Sequence, residues 1–530
     1  MKNKRILCSL LSAAMVLSLA ACSSGETAGS GSAASTADSA SASAEGGSAE
    51  GEDGYTTVTV FCPNTSSMPM TNETAVVQVL SEKTKTNFDF VNSPTTGTEE
   101  KFNLMMASGD IPDLVIYTQD PILEYTRAFA PLNDLIEEYC PNYAQLMEEN
   151  PYLRKDTTAA DGNIYTIQSK APFKFANAFI VRQDWLDKLG LEVPTTLEDF
   201  YDVLKAFKEQ DPNGNGEADE IPLVASDARR TDAESPGLSM FDASFGIDED
   251  FYVSDDGSEI LFGATDSRMK DALTYLNRLY SEGLIDQEYL TRDYASYEGL
   301  ITSNRAGMWI AWGVAVEDVG TIEDPNAELS IILPPAGEDG QIRVYSQMPQ
   351  TRTNALAISK DSQVKEHIME IWNYVFSEEG TILMNYGVEG ETYELVDGDP
   401  EYLESVLTSA DGVLNTLRKS GVNSWLPLNQ MADAEFDRSS DKFTAAVEEY
   451  DQYIVDPVPP LKFTDEEKST ITSVYNGEIE TYMDESLDSF ITGKTSLDQF
   501  DAFVEQMNSM GLPDILKIYN DAYARYQAVE

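Results

Sequence analysis

One histidine, His367, stands in 530 residues. Catalytic triads and zinc sites that draw on several imidazoles are therefore excluded. His367 falls in a helical pattern over 364–376 and reads as a surface or packing side chain. Cysteine is nearly as scarce, four in all, and positive charge is short: 35 Lys and Arg face 92 Asp and Glu, a net charge of −57. Such a shell repels nucleic acid and anionic lipid heads, which makes both poor partners, and it favours a soluble monomer. No phosphate-cradling Gly-rich loop is present. Beyond the first two dozen residues no apolar run is long enough to span a bilayer.

What is there begins with a processing segment. Lys2, Lys4 and Arg5 precede a mostly apolar run from Ile6 to Ala21, followed by Cys22. A basic start, a short apolar stretch and small residues before the cleavage point describe a secretory signal over residues 1–21. Leu19-Ala20-Ala21-Cys22 resembles the bacterial lipobox, which implies lipidation of Cys22 after cleavage. Residues 22–54 are nearly all Ser, Ala, Gly, Thr and acidic residues, a composition that cannot bury a core. As a coil this tether spans roughly 30 Å, enough to hold a globule off a membrane. The lipid is then the only membrane anchor, at the extracellular face of the cell membrane. With Cys8 lost and Cys22 modified, Cys62 and Cys140 remain. Two cysteines in a large domain are not a disulfide framework, and they read as free buried thiols.

From Tyr55 the composition is globular and long enough for two or three domains. Tyr55 to Cys62 alternates and then turns apolar, as a first strand does. A helix over 72–85, a strand over 88–91, a helix over 99–107 and a buried strand over 113–117 follow. A second set begins with a strand at 178–181 and helices over 183–189 and 197–209, the latter opened by Thr195, Thr196 and Glu198. Met269 to Tyr280 puts Met269, Ala272, Leu273, Leu276 and Leu279 on one face. Residues 308–312 are apolar, 329–333 and 355–358 read as strands, 364–376 as a helix, and the C-terminal third as mostly helical. Strand and helix alternate, so the fold class is α/β, with mainly parallel sheets flanked by helices. Ligands bind such sheets at the carboxyl ends of the strands, where Asn64, Tyr117 and Thr118 stand.

Several runs carry a family likeness: Val181 to Leu191 with Pro194-Thr195-Thr196, Ala107 to Asp113, Leu279 to Asp286, Tyr386 to Gly390, and Met510-Gly511-Leu512 with Tyr519 and Ala522 to Tyr526. In this order, behind a lipobox, they resemble the extracellular solute-binding proteins of family 1. The likeness is to the large carbohydrate-type lipoprotein branch of Gram-positive bacteria related to alginate-binding proteins. The resemblance implies a two-lobed periplasmic-binding-protein-like fold of type II, closing on ligand like a hinge. It also implies delivery to the permease subunits of an ABC importer. The expected lobes are residues 55–177 with about 347–400, and residues 178–346 with about 401–530.

Asp211 to Glu220 resembles an EF-hand-type calcium loop. Oxygen ligands at alternate positions and a sixth-place glycine let a short loop wrap a hard cation. Asp211, Asn213, Asn215 and Asp219 supply side-chain oxygens and Glu217 a carbonyl. Pro222 occupies the twelfth place, so Glu220 would supply the remaining oxygen, as in calcium-bearing alginate-binding relatives. The alternative is a plain Asp-Pro-Asn-Gly turn. The metal's role would be structural.

Sugars are held by aromatic faces and planar polar groups. Trp309 and Trp312, at spacing three, would share one helix or loop face, although core packing rivals this for either one. Asn64, Tyr117, Arg182, Tyr345, Gln347 and Tyr386 complete the ligand-site expectation, Arg182 alternatively pairing with an acidic neighbour. Trp185 and Trp372 read as core. A polyanionic ligand would need a basic patch at Arg229-Arg230, Arg343 or Arg352. Three other functions compete: binding of a peptide or other non-sugar solute, glycan sensing or adhesion, and, least of all, glycan hydrolysis. Hydrolysis needs a carboxylate pair, and in so acidic a chain none can be singled out.

Overall fold

Apolar faces along the strands decide the architecture. In the computed structural model, which describes residues 54–65, 68–94, 96–175, 177–225, 237–345, 350–422 and 424–529, two sheets form from such strands. The first has five strands in the order Thr86–Ser93, Thr56–Pro63, Leu114–Thr118, Thr351–Ile358, Ile167–Lys170. Its first three strands are parallel, and Thr351–Ile358 runs antiparallel to both of its neighbours. Val58, Val60, Leu114, Ile116, Leu356 and Ile358 point into one core, while Phe61, Val115, Tyr117, Ala355 and Ala357 point into another on the opposite face. Burial of both faces explains why these strands read as nearly continuous apolar runs.

The second sheet has four strands in the order Leu329–Ile332, Asn177–Arg182, Ala306–Trp312, Ile221–Val224. Only Ile221–Val224 and Ala306–Trp312 are parallel, so this sheet is mixed where a mostly parallel one was expected. Phe179, Val181, Met308 and Ile310 face one side, and Ala178, Ile180, Trp309 and Ala311 the other. Helix Ser267–Ser281 buries Met269, Ala272, Leu273, Leu276 and Leu279, the stripe read from its spacing. The C-terminal helix Leu512–Gln527 is seated on the same core through Leu512 and Ile515.

The chain crosses from the first sheet to the second between Lys170 and Asn177 and returns between Tyr345 and Thr351. After the return it stays on the first core for longer than the sequence suggests. Tyr402, Val406, Leu417, Val422, Leu426, Leu428 and Ala434 all pack there, so the stretch beyond 401 does not at once join the second core. The cause is the hairpin of Tyr393–Val396 with Asp399–Tyr402, which lays Tyr402 against Tyr386 at 4.8 Å and lets its hydroxyl donate to the Asn385 carbonyl at 2.9 Å. Helix Asp441–Tyr450 then packs on the second sheet through Phe443, Ala446, Val447 and Tyr450. Cys62 and Cys140 are free and buried, and burial pushes each thiol up to about 12.

Helix Leu197–Glu209 shows how locally the sequence acts. Thr196 accepts from the Asp199 backbone N–H at 3.2 Å, and the Asp199 carboxylate accepts from the Thr196 N–H at 3.0 Å, a reciprocal cap. Glu198, one residue earlier, instead takes both guanidinium nitrogens of Arg278 at 2.9 and 3.1 Å. Asp199→Ala should therefore cost about 1 kcal/mol in urea unfolding, while Asp199→Asn, which keeps an acceptor, should recover part of it. An unchanged midpoint for the alanine variant would remove the cap from the account.

Candidate functional site

Asn64 follows the carboxyl end of strand Thr56–Pro63, and Thr118 ends the neighbouring parallel strand Leu114–Thr118. Asn64 is half-buried and donates its backbone N–H to Ser93 at 2.8 Å. In the second sheet Trp312 ends its strand opposite Asn177, which begins the neighbouring one. Trp312 is 37% exposed, while Trp309 is 2% exposed and belongs to the core. The expectation that the two share a face fails because the segment is a strand. There, three residues apart means opposite sides. Gly313, next to Trp312, is held as glycine by close approach: a Cβ there would stand 2.1 Å from the Phe175 ring.

Other expected ligand residues are structural. Arg182 is wholly buried; its guanidinium makes two hydrogen bonds to Asp184 at 2.7 and 2.8 Å, bonds Asn304, and lies over the Trp185 ring at 4.7 Å. Its acidic neighbours thus claim it, and it has no reach to a ligand. Tyr386 is buried and donates to Asp437 at 2.6 Å. Tyr117 packs on Phe102 at 4.8 Å and on Phe61, on the inner face of its strand. Trp185 and Trp372 are core residues as read, the Trp372 indole donating to the Pro427 carbonyl. Tyr345 is half-buried, edge-on to Tyr252 at 5.8 Å, and lines a small cavity with Arg343 and Asp248. Gln347, Arg229 and Arg230 lie outside the described residues, as does Cys22. Arg343 pairs with Asp339 at 2.7 Å, and Arg352 is engaged with Gln430 at 2.9 Å. His367 packs with its Nε2 2.9 Å from the Thr86 hydroxyl.

Two features were not legible beforehand. The first is a polar cluster joining the two cores. Asp156, almost wholly buried, accepts from the hydroxyls of Thr351 and, at 2.8 Å, Tyr526. Gln119 donates to the Asp156 carbonyl at 3.1 Å and to Gln168 at 2.8 Å, and its own oxygen accepts from Lys462 at 2.9 Å. Removal of the Lys462 ammonium from water pushes its pKa down to about 8, against the opposing pull of Asp120 and Asp156. The second is a cavity of about 420 Å³ beside the crossing, lined by Tyr152, Lys170, Phe173, Gln350 and Phe436 among others. Lys170 and Phe436 are hundreds of positions apart in sequence, so no local pattern could have paired them.

The loop after helix Leu197–Glu209 is drawn around Asp211. Backbone N–H groups of Gly214 and Gly216 donate to its two carboxylate oxygens at 2.8 and 3.1 Å. Asp211 itself has φ +48°, and Gly214 and Gly216 have φ +75° and +82°, a backbone path that glycine takes without strain. Asn213 and Asn215 both reach Asp219, which also pairs with Arg305 at 3.1 Å. One Glu220 oxygen is buried without a hydrogen-bond partner, and burial together with the nearby Asp211 and Asp219 raises its pKa. An all-oxygen donor set with one orphaned carboxylate oxygen fits a hard cation. Among the described residues no three His, Cys, Asp or Glu side chains gather as metal ligands, so the loop would rely on amide and carbonyl oxygens as well.

Two outcomes follow. Arg182→Ala should lower unfolding stability by about 3 kcal/mol, because it empties a buried site and strands Asp184, yet below its melting temperature ligand affinity should stay within twofold of the parent. A large affinity loss would return Arg182 to the binding site. Lys462 binds its proton less tightly folded than unfolded, so its contribution to stability rises as pH climbs from about 8 towards its ordinary value of 10.5. Chemical denaturation at pH 7 and pH 9.5 should show that rise, and Lys462→Met should flatten it. An equal rise in both proteins would assign it elsewhere.

Comparison with known proteins agrees with this architecture. The fructooligosaccharide ABC transporter substrate-binding protein FusA of Streptococcus pneumoniae is 26% identical over 502 residues, covering 86% of this chain and 88% of that protein. The polygalacturonan/rhamnogalacturonan-binding protein YtcQ of Bacillus subtilis is 24% identical over 464 residues, covering 84% and 87%. The crystal structure of alginate-binding protein AlgQ2 without calcium ion superposes with a TM-score of 0.69 at 26% identity, covering 88% of this chain and 98% of that one. A sequence profile of the bacterial extracellular solute-binding proteins matches residues 70–382, well over half of the chain. The chain belongs to the bacterial extracellular solute-binding proteins.

Proposed function

We propose that this protein captures a carbohydrate between its two sheet-bearing cores and delivers it to the permease subunits of an ABC importer. The observation that carries the reading is the pairing of family membership with relatives that bind fructooligosaccharide, polygalacturonan and alginate across nearly the whole chain. The two cores would be the two lobes, connected through the segments near 171–176 and 346–350 and closing on ligand as a hinge. Of the expected ligand residues, Asn64, Trp312 and Tyr345 keep accessible surface, and Gln347 falls in the return segment of the sequence. Their role is to bind and orient the sugar without turnover. The protein would act as a monomer on the outer face of the membrane, held by lipid on Cys22. No helix among the described residues is long and apolar enough to cross a bilayer.

Calcium belongs to the same reading. Asp211, Asn213, Asn215, Asp219, Glu220 and the Glu217 carbonyl would hold it, and the bound ion would neutralise the crowded carboxylates and pin the loop. That the solved AlgQ2 structure is specified as lacking calcium ion is in keeping with a calcium site in that relative.

A thermal-shift screen of the purified protein against neutral and acidic oligosaccharides tests both parts. A ligand at about a hundred times its dissociation constant adds roughly 2.7 kcal/mol, a rise of a few degrees. Stabilisation by one oligosaccharide class, with the sugar recovered intact, is expected; silence across the panel would move the ligand to peptides or another solute. Chelator should lower the melting temperature of the parent and leave Asp211→Ala unaffected. If the parent ignores chelator, residues 211–220 are a turn and nothing more.

A further inference from the structure

The cavity beside the crossing between the sheets contains a charge with no counterpart. Its floor combines Lys170, at the end of a first-sheet strand, with Tyr152 from the first core and Val447 from the helix that covers the second sheet. Lys170 is half-buried, and the nearest acceptor to its ammonium is the Ala171 carbonyl at 3.5 Å. Among the described residues no carboxylate lies within ion-pair distance of it, in a chain where acidic groups outnumber basic ones 92 to 35. Other withdrawn cations have firmer partners: Arg182 has Asp184 and Asp324, Arg292 has Asp286, Arg438 has Glu435, and Lys462 and Arg352 each donate to an amide oxygen at 2.9 Å. Lys174, on the same wall, is taken by Asp456. Two acidic side chains line the cavity, Glu448 and Asp451, but both are exposed, where water screens them. A cation withdrawn from water without a partner is unfavourable, and burial accordingly lowers the Lys170 pKa.

Around this ammonium stand groups suited to a ring. Phe173 and Phe436 are stacked, 5.9 Å between centroids and 6° between planes, and both keep exposed surface. The Gln350 side-chain amide makes no hydrogen bond among the described residues and can take paired hydroxyls. A volume of about 420 Å³ accommodates one or two sugar rings.

We infer that this cavity receives a carboxylate-bearing sugar ring, a uronate, its carboxylate pairing with Lys170 while the ring lies against Phe173 and Phe436. The inference rests on the carbohydrate reading and narrows its ligand to acidic oligosaccharides. A neutral sugar would leave the ammonium unpaired; a uronate supplies the missing charge from the ligand itself. The acidic shell then works against long-range attraction, so recognition depends on Lys170, since Lys174 beside it is already paired with Asp456.

Isothermal titration of the full chain in detergent with tri-galacturonate and, separately, with the neutral trisaccharide kestose tests this. Tri-galacturonate should bind, more tightly than kestose, and Lys170→Gln should weaken it by about 10- to 100-fold. Lys170→Arg, which keeps the charge, should retain most of the affinity, and all three proteins should melt within a few degrees of one another, which separates lost binding from lost folding. Kestose bound as tightly as tri-galacturonate, or tri-galacturonate bound equally by Lys170→Gln, overturns the uronate assignment and leaves the carbohydrate reading standing. Binding of no oligosaccharide of either class in the wider screen overturns both.

Discussion

The structure turns on one buried carboxylate. Asp156 lies on a short helix of the first core, yet one of its two hydroxyl donors, Tyr526, comes from the C-terminal helix, which is seated on the second. That helix is fixed on its own side by Asn520, whose side chain both accepts from and donates to the Ile260 backbone at 2.9 Å. The other donor, Thr351, begins the strand by which the chain returns to the first sheet. A carboxylate withdrawn from water is tolerable only when hydrogen-bonded, and a hydrogen bond to a charged group contributes about 1.5–3 kcal/mol. Burial raises the Asp156 pKa, while the two hydroxyls and the Lys462 charge work in the other direction. Any closing motion of the two cores either pivots about this contact or breaks it.

Charge is distributed by the same logic elsewhere. An excess of carboxylates covers the surface, and several buried cations have acidic partners, as Arg182, Arg292 and Arg438 show, while Arg352 donates to the Gln430 amide. The cations without such partners are therefore informative. Lys462 is satisfied by an amide oxygen and by nearby carboxylates at the join between the cores. Lys170 has only a distant carbonyl and an open cavity in front of it. Stability is thus concentrated where charges are matched, and recognition where one is left unmatched.

Much of the fold was legible because its signals are local. Helices Gln183–Leu189 and Leu197–Glu209 span the residues expected of them, and most strands follow their apolar runs, whereas Ile167–Lys170 and Ile221–Val224 were not anticipated. Counting cysteines favoured free thiols at Cys62 and Cys140 but left their pairing open, and the structure has both free. The ligand site was far less legible. Trp309 and Trp312 invited a helical reading of a segment that pairs as a strand, and sequence carries no sign of which tryptophan a sheet will bury. Tyr386 was drawn inward by Asp437 and Tyr402, partners many residues downstream. Phe173 with Phe436, and Asp156 with Tyr526, meet only because the chain threads twice between the cores. Such pairs leave no periodicity to find.

If two cores close on an intact carbohydrate, small-angle scattering of the protein with and without the oligosaccharide that raises its melting temperature should register the closure. The expected result is a smaller radius of gyration on binding, an unchanged molecular mass and a sugar recovered whole. A bound sugar with no change in dimensions, or one recovered in fragments, would contradict it.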